Sequence, residues 1–163
     1  MSDDFEERVF KGLYDDFTSY IGHDSYMLRR SCESPIEIML GLAILSVGFM
    51  RGGDCHIVLM NFVSDRVLDG GSYYLVPQYN ITVGDDRCRS DFAIFEQGQP
   101  APLMIIECDG HDFHERTKRQ AARDRRRDRA FQAAGLPILR FTGSEIYADP
   151  CECAREVFRM LDR

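Results

Sequence analysis

Three acidic residues lie on two stretches that resemble neighbouring strands. Asp91 belongs to the segment RSDFAIF, and Glu107 and Asp109 end the apolar run that begins at Leu103. Side chains two residues apart on a strand share a face, so Glu107 and Asp109 should project together about 6 to 7 Å apart. Antiparallel pairing of the two strands would bring Asp91 beside Glu107. Three such carboxylates predict a hard oxygen site for Mg²⁺ or Mn²⁺; the alternative is a set of solvated strand ends.

The densest positive charge of the chain follows these acids directly. Residues 116–129 hold eight Lys or Arg and two acids, although the chain carries a formal net charge of -7. Contact with a polyanion should therefore be local. A cation site beside such a cluster predicts chemistry on phosphate. The outer face of the predicted helix carries Arg119, Arg123, Arg126 and Arg129.

That outer face has two interpretations, phosphate binding or simple solvation. The inner face, at steps of three and four residues, carries Gln120, Asp124, Arg127 and Phe131. It should meet the sheet, where Asp124 and Arg127 are candidates for a structural ion pair.

The elements that position these residues predict one α/β domain over residues 1–163. Apolar spacing predicts an N-terminal amphipathic helix at about residues 3–20. A second helix should begin at Ser34, with Pro35 in its first turn and Glu37 completing a capping box. The predicted sheet is a mixed core of four strands flanked by helices. The later elements are a hairpin (79–83 and 89–95), a strand (103–108), a helix (116–134), a strand (136–141) and a helix (148–161).

Cellular context can also be predicted from composition. The six cysteines include no CxxC pair, which favours reduced thiols over disulfides or a zinc site. The longest apolar run, residues 36–50, contains Glu37 and falls short of the roughly 20 residues of a membrane span. We expect a cytoplasmic protein without a membrane partner.

The order and spacing of these motifs resemble a known family. RSDFAIF, IIECDG, the His114 that follows, and Asp124, Arg127 and Asp128 are together similar to the PD-(D/E)XK restriction-endonuclease-like superfamily. Within it, the chain most resembles very-short-patch-repair-type endonucleases and their uncharacterised relatives. With Glu37 on the preceding helix, the resemblance extends over most of the chain.

The resemblance implies a role for each matching residue. Asp91 and Glu107 would be metal ligands, the carbonyl of Cys108 a third ligand, and Glu37 an outer or second-metal ligand. The usual lysine two residues after the second acid is replaced here by Asp109. His114 matches a histidine of the very-short-patch-repair-type enzymes, and His111 and Lys118 are nearby substitutes for the lysine.

These observations predict a Mg²⁺- or Mn²⁺-dependent nuclease that acts on nucleic acid, with DNA favoured over RNA. In that hypothesis Asp91, Glu107 and Asp109 hold the metal, and His114 transfers a proton or stabilises charge. A nucleic-acid-binding module that has lost catalysis is the main alternative, because Asp109 replaces the motif lysine. A protein-interaction domain whose arginine helix meets an acidic partner is a weaker alternative.

Overall fold

A five-stranded mixed sheet forms the centre of the computed structural model, which describes residues 21–52, 57–60, 72–83, 86–110 and 118–162. The strands lie side by side in chain order, and the two outer pairs, β1 with β2 and β4 with β5, are parallel. The inner pairs are antiparallel. The strands are β1 (Ile57–Leu59), β2 (Tyr73–Val83), β3 (Asp86–Glu96), β4 (Pro102–Asp109) and β5 (Ile138–Thr142).

Helices cover both faces of this sheet. The larger core lies between the sheet and the helices α1, α2, α4 and α5. A smaller core, which includes Phe131 of α3, lies on the other face. We call these the α2 face and the α3 face. The helices are α1 (21–31), α2 (Pro35–Arg51), α3 (Lys118–Ala133), α4 (Gly143–Ala148) and α5 (Pro150–Leu161).

The predicted α/β class, the hairpin, and the strand, helix and strand that follow it are confirmed. The predicted number of strands, four, was wrong. The four predicted strands are β2 to β5, and β4 lies inside the sheet between β3 and β5. The fifth strand, β1, is only three residues long. Such a short apolar segment has no measurable alternation, so its pairing with β2 comes from tertiary contact rather than from local pattern.

The helices were predicted with similar mixed success. Ser34 caps α2 and Pro35 stands in its first turn, as predicted, but the Glu37 carboxylate accepts from the backbone N–H of Glu33 rather than of Ser34. Helix α1 was missed. The predicted closing helix, 148–161, corresponds to α5, which Asp149 caps and which begins at Pro150. Helix α4, just before it, was not predicted. The predicted helix at 3–20 lies outside the described residues.

The sheet changes its alternation at Gln78 and Asp91. The pairing of β2 with β3 passes from Pro77 with Phe92 to Tyr79 with Ser90, and no pair forms between Gln78 and Asp91. Val76 faces α3 before this point and Tyr79 faces α3 after it, so a step of three residues joins two side chains on the same face. Alternation would require an even step. Both strands therefore turn locally where Asp91 lies.

No described helix is both long enough and apolar enough to cross a membrane.

The packing of α2 gives a stability test. A Cβ at Gly48 would overlap the Cγ2 of Ile57 and lie 3.0 Å from the Cζ of Phe158. We expect Gly48→Ala to lower the free energy of unfolding by roughly 1 to 3 kcal/mol, because α2 must move away from β1 and α5. Gly22→Ala, on helix α1 with open space around it, is the control and should be neutral or stabilising. Chemical denaturation of both variants measures the difference; equal stabilities would contradict this close packing.

Candidate active site

The carboxylate of Asp91 replaces a missing backbone contact between β3 and β4. The pairing of these strands ends at Phe92 with Ile106, so the next opposed residues are Asp91 and Glu107. The Oδ2 of Asp91 accepts a hydrogen bond of 2.6 Å from the backbone N–H of Cys108. The acid therefore stands in the gap where the two strands separate, beside Glu107 as the strand pattern predicted.

Glu107 is the most constrained acid of the site. Glu107 is only 8 % exposed to solvent. One oxygen, Oε2, accepts a 3.0 Å bond from the guanidinium of Arg127. The other, Oε1, is buried and has no hydrogen-bond partner among the described residues. A buried carboxylate oxygen without a partner is costly, so Oε1 is the natural position for a ligand.

A second ion pair holds α3 against the same two strands. Arg140 on β5 is the neighbour of Glu107 on β4. Arg140 donates a 2.6 Å bond to Asp128, the residue after Arg127 on α3. Two ion pairs therefore join α3 to the sheet. The sequence predicted that Arg127 forms an ion pair with Asp124, whose side chain is outside the described part. The observed partner of Arg127 is Glu107.

Glu37 reaches the site from α2. It is buried, and its carboxylate accepts bonds from the Ser34 hydroxyl at 2.6 Å and from the Glu33 backbone N–H at 2.9 Å. The amide of Gln78, on β2, donates a third bond of 2.7 Å. Its capping role and its position near Asp91 are therefore compatible.

Burial and mutual repulsion raise the pKa values of the two central acids. Desolvation is the main cause for Asp91, whose pKa rises to about 6; the Cys108 N–H opposes it, and Glu37 adds to it. Desolvation also raises the pKa of Glu107 to about 7, although Arg127 lowers it and Asp91 raises it further. Two neighbouring acids with raised pKa values mark a site that an added positive charge would stabilise.

Two thiols lie within the field of these acids. Burial, followed by the charges of Glu37 and Asp91, raises the pKa of Cys32 to about 12. Burial and the same charges raise the pKa of Cys108 well above its ordinary range. Both side chains therefore stay protonated at neutral pH, which makes them poor nucleophiles and poor metal ligands. The five described cysteines are free thiols.

The donor set suits a hard divalent cation. Glu107 offers a buried, unpartnered oxygen, and Asp91 is the opposed carboxylate on the next strand. Mg²⁺ commonly takes one or two carboxylates and retains several waters. Within the described ranges, no three His, Cys, Asp or Glu side chains are already gathered around a common point. The fit thus rests on two acids, with a carbonyl and water to complete the coordination.

The remaining predicted site residues are only partly placed. Asp109 is half-buried at the end of β4 and pairs with Thr142 of β5. Arg126 and Arg129 are exposed on α3, as predicted. His111 and His114 lie outside the described residues, and so do the side chains of Lys118, Arg119 and Arg123. Their roles stay predictions. Gln78, Cys32 and Arg140 were not singled out from the sequence.

A comparison with protein families gives one match. The family model described as Protein of unknown function (DUF2726) matches residues 78–160, just over half of the chain. The matched span begins at Gln78 and includes Asp91, Glu107 and all of α3. No curated protein and no solved structure matches the chain.

The raised pKa of Asp91 predicts a pH-dependent effect of its removal. Between about pH 4 and about pH 6 the folded protein keeps a proton on Asp91 that the unfolded chain has released, so this group destabilises the fold increasingly as pH rises. The amide introduced by Asp91→Asn would not titrate but would still accept the Cys108 N–H. We therefore expect the melting temperature of Asp91→Asn, relative to wild type, to increase from pH 4 to pH 6.5.

Thermal melts in EDTA across this range measure the effect. Glu156→Gln, at an exposed position of α5, is the control and should show no such trend. A constant difference between Asp91→Asn and wild type would contradict the desolvation of Asp91.

Proposed function

We infer the function from the site itself, because the chain belongs to the DUF2726 family of proteins of unknown function. The proposed function is that of a metal-dependent nuclease, which hydrolyses phosphodiester bonds. The observation that carries the proposal is the Glu107 carboxylate. One of its oxygens binds an arginine of the basic helix, and the other is buried without a described partner beside Asp91. A cation site and a phosphate-binding helix thus share one residue. We also propose the restriction-endonuclease-like fold, which a mixed sheet with helices on both faces supports.

In this proposal Asp91, Glu107 and the carbonyl of Cys108 hold Mg²⁺ or Mn²⁺. When bound, the cation would lower the pKa of a water molecule and stabilise charge on the phosphate. Asp109, at the end of the same strand as Glu107, would be a further carboxylate ligand of the cation. His114, with His111 and Lys118 as alternatives, moves a proton or stabilises charge.

Arg127 supplies the positive charge that the motif lysine usually provides. Its guanidinium lies 3.0 Å from Glu107. Because Asp109 occupies the lysine position, the compensating charge comes from α3 rather than from β4. The same contact fixes the rotation of α3, with Phe131 buried and Arg126 and Arg129 exposed.

DNA is the proposed substrate class. The exposed arginines offer contacts to a phosphate backbone without reading its sequence. The choice of DNA over RNA rests on the resemblance to very-short-patch-repair-type endonucleases. The second candidate is a DNA-binding module without catalysis, which Asp109 in the lysine position favours. Dependence of cleavage on a divalent ion separates the two.

The acids provide the test of catalysis. Asp91→Asn and Glu107→Gln should each lower cleavage of supercoiled plasmid in Mg²⁺ or Mn²⁺ by about 100-fold or more, because each removes a charged metal ligand. Glu156→Gln is the matched control and should cleave as wild type does. Calorimetry on the same proteins should show weakened Mg²⁺ binding for the two site variants alone. Wild-type protein that binds DNA but never cleaves it would support the binding module instead.

The arginines provide the test of substrate binding. In an Asp91→Asn background, which prevents cleavage, Arg126→Ala with Arg129→Ala should weaken binding to DNA of any sequence. The slope of log affinity against log salt should fall by about 0.9 for each phosphate that the protein no longer neutralises. The control pair, Arg155→Ala with Arg159→Ala, removes two exposed arginines of α5. If both pairs changed affinity and slope equally, the effect would reflect net charge and not the face of α3.

A further inference from the structure

Gln78 adopts a backbone conformation that its side chain does not favour. Its φ is 52°, in the left-handed region that residues with a Cβ seldom occupy. It stands opposite Asp91, at the step where β2 and β3 form no pair. Such conformations persist where surrounding contacts hold them, and they concentrate at functional sites.

Only one of the two polar atoms of the Gln78 amide has a hydrogen-bond partner among the described residues. Its Nε2 donates a 2.7 Å bond to Glu37. Its Oε1 is buried and has no hydrogen-bond partner among the described residues. Glu107 Oε1 is in the same condition. Two buried oxygens without described partners thus lie on either side of Asp91, one on β2 and one on β4.

An acceptor oxygen in this position requires a donor or a cation. The phosphate of a nucleic acid offers only acceptors, so it would not satisfy Gln78. A divalent cation would, since Gln carbonyl oxygens are ordinary ligands of hard cations. A neutral ligand also adds coordination without adding repulsion to Asp91, whose pKa the charges of Glu37 and Asp109 already raise.

We propose that Gln78 belongs to the cation site, with Oε1 as a neutral oxygen ligand and Nε2 fixing the carboxylate of Glu37. This inference rests on the proposed function for the presence of a cation. It adds a ligand from β2, so that residues of three neighbouring strands would contact the ion. The turn of the backbone at Gln78 is then what directs the amide toward Glu37.

Three variants test the proposal by calorimetric titration with Mg²⁺ and Mn²⁺. Gln78→Met keeps the length of the side chain and removes both polar atoms, so the affinity should fall roughly 10- to 100-fold. Gln78→Gly removes the side chain and accepts the left-handed backbone without strain; its affinity should fall equally. Gln78→Glu retains an oxygen ligand and should bind the cation at least as tightly as wild type. Melts in EDTA check that each variant is folded.

The outcomes distinguish this inference from the proposed function. If wild type and all three variants bind equally, Gln78 is not a ligand, whatever the nuclease does. If Gln78→Glu loses affinity as Gln78→Met does, the amide only holds Glu37, and the ligand role fails. Wild-type binding with the expected order but no cleavage of any DNA would overturn the nuclease and leave the Gln78 ligand standing. Absence of cation binding by wild type would overturn both.

Discussion

The buried contact between Glu107 and Arg127 links the acidic site to the basic helix. A carboxylate this buried needs a partner, since an unpaired buried charge costs several kcal/mol. Arg127 meets that need from a separate element, and Asp128 meets the charge of Arg140 beside it. The two contacts fix the rotation of α3. Arg126 and Arg129 then point outward, so the exposed basic face follows from the way in which the site is neutralised.

The acids of the site were predictable because strand alternation is a local rule. Alternation placed Glu107 and Asp109 on one face, and antiparallel pairing placed Asp91 opposite Glu107; the registers of β3 and β4 agree with both. The helical period likewise predicted that Arg127 and Phe131 face the sheet. The partner of Arg127 was missed because Glu107 was considered only as a metal ligand. Charge pairing between a strand and a helix 20 residues later has no local signature.

Gln78 could have been found from the sequence. Tyr74 and Val76 predict one buried face for even positions, whereas Tyr79, Ile81 and Val83 predict the same face for odd positions. That change of phase falls between Val76 and Tyr79, and it indicates an irregular residue between them. The hydrogen bond from Gln78 to Glu37, 41 residues apart, was not predictable in this way. β1 was missed for a related reason, since three residues contain too little pattern to distinguish a strand from a loop.

The exchange of lysine for Asp109 narrows the chemistry that the proposed nuclease can use. A lysine ammonium can lose its proton near an active site, whereas a guanidinium cannot. If Arg127 supplies the positive charge, it can donate hydrogen bonds and stabilise negative charge, but it cannot accept a proton from water. Its contact with Glu107 also fixes it on the side of α3. Any proton acceptor must therefore be a different group, and His114, with His111 and Lys118 as alternatives, is the proposed one. Under this hypothesis the two functions of the single motif lysine are divided between Arg127, which provides charge, and His114, which moves the proton.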